Sequence, residues 1–370
     1  MKLPAFMLER YFAQYEFHVE YPMCCSDCES TSVEELLSFE PGAKERFLSL
    51  RLGYTESEGA PSLREAISRI YRTVGRDDVL VHSGAEEAVF LFMQAVLEPG
   101  DHIVVHWPCY QSLFQIAQSM GCRVSPWVAK EEKGWALDPD ELAALLQPNT
   151  RAVIINCPHN PTGYVMERGS FERVVRLADS HGAILFSDEV YRESELDPRE
   201  RLPAAADISD RAVSLGVTSK TYGLPGLRIG WLATHNACVL RSVARLKDYT
   251  TICASGPGEV LAEVALRHRE RLVEKSVSLI RRNRDLLDAF FTRRKDLFRW
   301  QRPSAGPIAF PKLVGQSVAS FCDALVKQSG VLLLPGGVYA DEGNHFRIGF
   351  GRANFPQALE RLDNFLAATR

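Results

Sequence analysis

Short, almost unbroken apolar runs recur along the first two thirds of the chain. They are rich in β-branched residues and lie at 79–82, 102–106, 152–156, 183–188, 212–217 and 229–233. Continuous apolar runs of this length are typical of strands covered on both faces. Segments with helical spacing lie between several of them, at 85–97, 110–120, 139–147 and 168–181. The alternation predicts an α/β fold built on a mainly parallel sheet.

The pattern changes near residue 234, where long helical segments at 236–250 and 257–295 begin. In the second segment, apolar residues recur at helical spacing, so one face of the helix is apolar. Short strands and two further helices, near 316–328 and 355–368, complete the chain. We therefore expect a large domain and a smaller α+β domain. The predicted division is an N-terminal segment 1–45 that packs on the small domain or a partner subunit, a large domain 46–250 and a small domain 251–370.

Composition narrows the range of functions. The 370 residues carry a formal net charge of −4, which favours neither nucleic acid nor an anionic membrane as a partner. No apolar run reaches the roughly 20 residues of a membrane helix, and the N-terminus has no signal-peptide pattern. The nine cysteines suggest free thiols in a reducing compartment, so we expect a cytoplasmic protein. The stretch "CCSDC" at 24–28 resembles half of a zinc site, but no second half follows, and we expect no metal.

Two loops follow predicted strands and contain unusual residues. In "VHSGAEEAVFLF", Gly84 permits a tight turn before a helix whose N-terminal amides could bind an anion. In "INCPHNPTGYV", two prolines stiffen the loop and hold the amide of Asn160 in place. The alternative to a binding role is an ordinary βα turn for the first loop and a Pro-rich turn for the second.

Two further strand ends carry ionisable groups. Asp188 ends the strand of "FSDEVYRE" with Tyr191 close behind, and it could cap a helix or meet a cationic ring nitrogen. "VTSKTYGLPGLRIGW" places Lys220 just after a strand and Arg228 eight residues later. Each could be a surface residue near a turn. Together, an anion cradle, an arginine, a nucleophilic lysine, a carboxylate and a phenol at one sheet edge match the needs of pyridoxal phosphate.

The ordered set "GYTESEGAPSLREAI", "SGAEEA", "WPCY", "NPTG", "SDEVY", "SKTYGLPGLRIGW" and "FRIGFG" resembles the fold-type I pyridoxal-phosphate enzymes of the class I/II aminotransferase family. The resemblance spans about residues 30–368. It implies a seven-stranded sheet with helices on both faces, pyridoxal 5'-phosphate as cofactor, and a homodimer. It also implies an aminotransferase that moves an amino group from an L-amino acid to a 2-oxo acid through a Lys220 Schiff base.

The resemblance also implies roles for single residues around the cofactor ring. Lys220 would carry the cofactor and move the proton at the substrate Cα, and Asp188 would pair with the ring nitrogen. Tyr191 and Asn160 would hydrogen-bond the ring oxygen O3', and Tyr110 would stack on the ring.

Further roles concern the phosphate and the substrate. The phosphate would be held by Ser83, Gly84, Ala85, Ser219 and Arg228, and by Tyr54 of the neighbouring subunit. Arg347 would bind the substrate α-carboxylate, and Asn160 would assist it.

Some positions depart from the family pattern. Val217 stands where a serine is frequent, three residues before the lysine, and Ala85 stands where Ser or Thr is common. Thr218 should point away from the phosphate. Glu86 would repel a phosphate, so we expect its side chain to turn away or to meet a cation.

The N-terminal acids suggest a second reading. Asp27 and Glu29 could face a cationic substrate group such as a guanidinium, or they could serve the N-cap and first turn of the helix in "SVEELL". The segment loosely resembles that of capreomycidine synthase-like relatives, which cyclise arginine. The alternative function is thus elimination or cyclisation of an amino acid, with a guanidino amino acid as one candidate. A non-catalytic regulator is disfavoured, because the chain has no DNA-binding module.

Overall fold

The computed structural model describes residues 2–368, and a seven-stranded sheet lies at its centre. The strand order is β1-β7-β6-β5-β4-β2-β3, and β7 runs antiparallel to both of its neighbours while the other pairs are parallel. This confirms the predicted fold class. The strands are β1 (Val79–His82), β2 (His102–Trp107), β3 (Arg123–Val128), β4 (Thr150–Asn156), β5 (Ile184–Asp188), β6 (Val213–Val217) and β7 (Gly230–Ala233).

Four helices precede the sheet: α1 (Met7–Tyr15), α2 (Val33–Leu37), α3 (Ala43–Leu48) and α4 (Pro61–Ser68). The N-terminal segment reaches the C-terminal part of the chain at two points. The Tyr11 hydroxyl donates to the carbonyl of Leu333 at 2.9 Å, and Tyr21 forms a parallel bridge with Val331. The start of α1 is held beside residue 111, which lies between β2 and the helix at 112–119, because Gln111 accepts from the Met7 amide and donates to the Ala5 carbonyl.

Helices cover both faces of the sheet: α5 (Ala85–Val96), α6 (Ser112–Ser119), α7 (Pro139–Leu145), α8 (Arg168–His181) and α9 (Ala237–Lys247). Successive strand residues point to opposite faces. Val105 therefore joins the cluster formed with α5, α6 and α9, whereas its neighbour Val104 joins the cluster formed with α7 and α8. This two-sided burial explains why these strands are almost continuously apolar.

The C-terminal part combines helices with short strands: α10 (Gly256–Arg267), α11 (Arg269–Arg293), β8 (Phe298–Arg299), β9 (Ile308–Ala309), β10 (Lys312–Leu313), α12 (Val318–Ser329), β11 (Leu334–Pro335), β12 (Phe346–Gly349) and α13 (Phe355–Ala368). Helix α10 packs on α2 and α4, in a cluster that also contains Val81 and Trp231 of the sheet. The rest of this part has its own apolar cluster around Phe298, Phe321 and Phe346. The division at residues 45 and 250 stays a prediction.

Two elements differ from the hydrophobic pattern. Strand β3 lies outside the six apolar runs, because it is an edge strand with exposed residues and Pro126 within it. The expected helix over 257–295 is two helices that meet at His268. Within residues 2–368, the helices are too short or too polar to cross a bilayer.

Candidate active site

The carboxyl ends of β4, β5 and β6 meet at one edge of the sheet. They bring Asn156, Asp188 and Val217 to the wall of a cavity of about 380 Å³. Strand β7 runs the opposite way and begins at this same edge, so Arg228, two residues before it, also lines the cavity. Ligands of open α/β sheets bind at this edge.

Asp188 lines the cavity and is 8% exposed. The amide of Val190 donates to its Oδ1 at 3.2 Å, and the Asn156 side chain donates to its backbone carbonyl at 3.0 Å. Burial raises the pKa of Asp188 to about 7, although the Val190 hydrogen bond and the nearby Lys220 act against this rise. A cation at the open side of this carboxylate would keep it ionised.

Lys220 follows β6 and faces the same cavity. Its ammonium donates to Ser26 Oγ at 2.9 Å. Burial lowers the pKa of Lys220; Asp27 works against this effect, and Arg347 adds to it. A lysine with a lowered pKa has a larger share of the neutral, nucleophilic amine.

A single loop, residues 218–229, carries both Lys220 and Arg228. Its two ends are joined by the Thr218 amide, which donates to the carbonyl of Ile229 at 3.0 Å, and the Leu224 amide donates to Thr218 at 3.1 Å. The Thr218 hydroxyl donates to the Ile229 carbonyl, so this side chain braces the loop and points away from the cavity, as expected.

The turn between β1 and α5 packs directly against this loop. Gly84 has φ of 84°, and a Cβ there would lie 2.5 Å from Arg228 Nη2. A Cβ on Gly230 would lie 2.6 Å from the backbone of Gly84. The two glycines therefore allow Arg228 to lie beside the N-terminus of α5, where free amides favour an anion.

Arg347, on β12, is fixed by three neighbours. Its Nε donates to the Cys24 carbonyl at 3.0 Å, and Nη1 donates to Asn160 Oδ1 at 3.2 Å and to the hydroxyl of Tyr339. Tyr339 in turn donates to Asn160 Oδ1 at 3.0 Å. The guanidinium is 1% exposed, and its Nη2 has no hydrogen-bond partner among residues 2–368.

Two more buried polar atoms at this cavity lack a partner within the described chain: Tyr191 Oη and Ser219 Oγ. Burial raises the pKa of Tyr191, so its hydroxyl keeps its proton and remains a donor. Buried polar groups are nearly always hydrogen-bonded, so unpaired groups that face one cavity point to a ligand. Donors for a phosphate and for a ring oxygen, with a carboxylate for a ring nitrogen, fit pyridoxal phosphate.

Most residues singled out in the sequence come together here. The cavity is lined by Ala85, Tyr110, Asn160, Asp188, Tyr191, Ser219, Lys220, Arg228 and Arg347. Ser83 and Gly84 lie in the adjoining turn, where the Ser83 amide donates to Glu87. Tyr54 does not line the cavity and is 90% exposed.

Other cavity residues had no signal in the sequence. Ser26 lies in the "CCSDC" stretch, where the cysteines resemble half of a zinc site and the serine has no motif of its own, and Glu9 lies on α1, where no motif is present. Tyr339, which orients Arg347, lies in a single 3-10 turn. These residues reach the site through tertiary packing, which a local pattern does not reveal.

The reading of Asp27 and Glu29 as the N-cap and first turn of a helix is wrong, whereas contact with a cationic substrate group stays a prediction that the other partners of these acids do not favour. Arg352 donates to both carboxylate oxygens of Asp27, at 2.8 and 2.9 Å, and the Ala353 amide donates to Glu29. Helix α2 is capped by Ser32 instead, and neither acid lines the cavity. The acids that do line it beside Asp188 are Glu9 and Glu86.

Two named relatives match most of the chain. Capreomycidine synthase of Streptomyces vinaceus is 33% identical, over 94% of this chain and 90% of its own length. Arginine–pyruvate transaminase of Pseudomonas aeruginosa is 30% identical, over 84% of this chain and 81% of its own length.

Solved structures agree closely with this fold. A PLP-dependent aminotransferase from Streptococcus suis superposes with a TM-score of 0.93 at 32% identity, over 100% of this chain and 99% of that one. The PLP-dependent cyclase OrfR gives a TM-score of 0.91 at 29% identity, with the same coverage.

The sequence profile described as "Aminotransferase class I and II" matches residues 44–362. The cofactor of these proteins is pyridoxal 5'-phosphate, which the unpaired groups of the cavity fit. The chain therefore belongs to the class I and II aminotransferases, a family of PLP-dependent enzymes.

Proposed function

We propose that the protein is an aminotransferase that moves an amino group from an L-amino acid to a 2-oxo acid. One observation carries the proposal: Lys220, Asp188 and Arg347 face a single cavity, and each is suited to a different part of this reaction. The first supplies the reactive amine, the second a buried carboxylate, and the third a guanidinium with a free donor.

When bound, pyridoxal phosphate supplies a cationic ring that accepts the electron pair left on the substrate Cα. Asp188 holds the proton on the ring nitrogen, which keeps the ring cationic. Tyr191 would donate to the ring oxygen O3', and so would the Asn160 amide, whose Oδ1 is already occupied by Arg347 and Tyr339. Tyr110, which lines the cavity, would help to hold the ring.

Lys220 would be the base that moves the proton at the substrate Cα. Its lowered pKa suits this role, because a general base works best when its pKa lies near the working pH. Ser26, which accepts from the amine, orients it when it is free.

Two guanidinium groups each bind a different anion, the cofactor phosphate or the substrate α-carboxylate. Arg228 would hold the phosphate together with Ser219, the turn at Ser83 and Gly84, and Ala85 in the first turn of α5. Arg347 binds the substrate α-carboxylate through its unpaired Nη2.

We also propose a homodimer. Large apolar side chains lie exposed on one region, here named the apolar patch: Leu48, Leu52, Tyr54, Tyr249 and Ile252, each at least 51% exposed. Its two segments are adjacent, because the Thr55 hydroxyl donates to the Ala254 carbonyl. An exposed patch of this kind is typical of an interface. A second copy would cover it and bring the partner subunit's Tyr54 to the phosphate.

The location we propose is the cytoplasm. All nine cysteines are free thiols, and seven of them are buried. Unpaired cysteines are typical of reducing compartments.

Transamination is tested by incubating the purified holoenzyme with each amino acid and either pyruvate or 2-oxoglutarate. The appearance of alanine or glutamate, measured by chromatography, is the expected result. A cofactor spectrum that responds to amino acids without any amino-group transfer would contradict transamination.

Elimination or cyclisation is the second candidate. It is favoured by the likeness to capreomycidine synthase and to the cyclase OrfR over almost the whole chain. Both reactions start with the same removal of the Cα proton, so the same residues serve them. Cyclic product from a 3-hydroxylated arginine without any 2-oxo acid would favour this candidate, as would release of ammonia without an acceptor.

A further inference from the structure

Two glutamates with no assigned role line the cavity. Glu9 lies on α1 and accepts from the Tyr110 hydroxyl at 2.8 Å. Glu86 lies in the first turn of α5 and accepts from the Ser112 hydroxyl through Oε2 at 3.1 Å. Their second oxygens accept no hydrogen bond from residues 2–368, and neither carboxylate has an ion-pair partner in that range.

The surroundings of Glu86 disfavour its charge. The side chain is open to solvent on the cavity side but is closely surrounded by protein on the others. Desolvation by the surrounding protein raises the pKa of Glu86 to about 7, and the nearby Glu9 and Asp188 add to the rise, whereas Ser112 and Arg228 oppose it. Neighbouring carboxylates are stabilised by a proton or by a cation placed between them.

The charged residues that line the cavity leave Glu9 and Glu86 in need of a cation from a ligand. Three cationic side chains line it: Lys220, Arg228 and Arg347. In the proposed function, Arg228 binds the phosphate, Arg347 binds the substrate carboxylate, and Lys220 and Asp188 serve the cofactor. Glu9 and Glu86 then have no counter-charge among the described residues.

Independent evidence that the cavity binds a ligand comes from Arg347. Its buried Nη2 is unpaired and is suited to donate to a carboxylate. The cavity is therefore cationic where the carboxylate binds and anionic at Glu9 and Glu86. Apolar side chains of Leu8, Phe12 and Leu113 also line it and suit a chain of methylene groups.

We propose that Glu9 and Glu86 bind the cationic end of the substrate side chain, so that the substrate is a basic L-amino acid of the arginine or lysine type. This inference rests on the proposed function, because it takes an amino acid as the substrate. It applies equally to transamination and to cyclisation.

The test compares each cation with a neutral analogue of similar shape. The absorption of the bound cofactor is titrated with L-arginine, L-citrulline, L-lysine and L-norleucine in the absence of any 2-oxo acid, which gives apparent dissociation constants without a full catalytic cycle. We expect arginine to bind tighter than citrulline, or lysine tighter than norleucine, by roughly 10- to 100-fold, the range for a hydrogen-bonded charge.

The variants Glu9→Gln and Glu86→Gln should each reduce this preference about 10-fold, and the double variant should abolish it. Glu98→Gln is the matched control, because it makes the same change at an exposed glutamate outside the cavity. If the cofactor responds but the neutral analogues bind as tightly as the cations, the inference is wrong and the proposed function stands. The inference is also wrong if the preference survives in the double variant. If the cofactor responds to no amino acid, both are wrong.

Discussion

At the level of single residues, the environment of Lys220 combines opposing effects. Burial and Arg347 lower its pKa, whereas Asp27, Cys25 and Asp188 raise it. Asp27 does not reach the cavity but is held by Arg352. The N-terminal acid therefore acts on the reactive amine at a distance, and its contact with Arg352 fixes its position.

Replacement of Lys220 by Ala should leave a folded protein that cannot bond the cofactor covalently. The absorption band of the lysine-linked cofactor should be absent, and amino-group transfer should fall by several orders of magnitude. Absorption spectra and circular dichroism measure the two effects. Lys295→Ala, at an exposed lysine, is the control, and an unchanged absorption band in Lys220→Ala would contradict the assignment.

The raised pKa of Glu86 predicts a pH dependence of substrate choice. Above pH 7 the carboxylate is ionised and attracts a cation, whereas below pH 7 it becomes protonated and neutral. The ratio of citrulline to arginine dissociation constants should therefore rise up to about 10-fold from pH 6 to pH 8. The ratio cancels the titration of groups common to both ligands. It should be flat in Glu86→Gln, and a flat ratio in the unmodified enzyme would count against the prediction.

At the level of elements, the turn between β1 and α5 depends on Gly84. Gly84→Ala adds a Cβ that must displace Arg228 Nη2, at a position with φ of 84°. We expect cofactor affinity, measured by equilibrium dialysis, to fall at least about 10-fold, since such backbone strain costs roughly 1–3 kcal/mol and the arginine also moves. Gly100→Ala is the control, because Gly100 has φ of 92° but open space around it. Equal losses in both variants would show that contact with Arg228 is unimportant.

Helix α1 carries Leu8, Glu9 and Phe12 into the cavity, and Gln111 holds its start through two hydrogen bonds. Gln111→Ala should loosen the helix, since each bond contributes about 1 kcal/mol. Hydrogen exchange of residues 7–15 should accelerate, and arginine affinity should fall several-fold while cofactor affinity is retained. Gln115→Ala, one turn further along α6, is the control. Unchanged exchange in Gln111→Ala would refute this account.

The elements also show what a sequence can reveal. The buried strands β4, β5 and β6 were predictable, because burial on both faces leaves an uninterrupted apolar run. The positions of Asp188 and Lys220 at the sheet edge were predictable, because their motifs lie at the end of such a strand or just after it. Strand β3 is half-exposed and has no such run. Ser26 and Glu9 act across more than 100 residues of sequence, on Lys220 and Tyr110, so no local spacing points to them.

At the level of the whole molecule, the apolar patch predicts assembly. Leu52→Glu places a charge in the proposed interface, and sedimentation should then show the mass of one chain rather than two. Cofactor affinity should fall as well, because the partner subunit's Tyr54 is lost from the phosphate. Leu286→Glu is the control, since Leu286 is an exposed leucine on α11, outside the patch. A dimer that persists in Leu52→Glu would contradict the proposal that the apolar patch forms the dimer interface.

The loop of residues 218–229 has a consequence for how the enzyme tolerates change. Its ends are joined by hydrogen bonds between Thr218 and Ile229, so one braced loop carries both the amine of Lys220 and the guanidinium of Arg228, which is proposed to bind the phosphate. A mutation in a residue that packs under this loop would shift Lys220 and Arg228 together and preserve the distance between them. A cofactor held by both groups would then change its position relative to Asp188, because Asp188 lies on a separate strand, β5. Mutations that move this loop should therefore weaken the contact between Asp188 and the ring nitrogen before they lower the affinity for the phosphate.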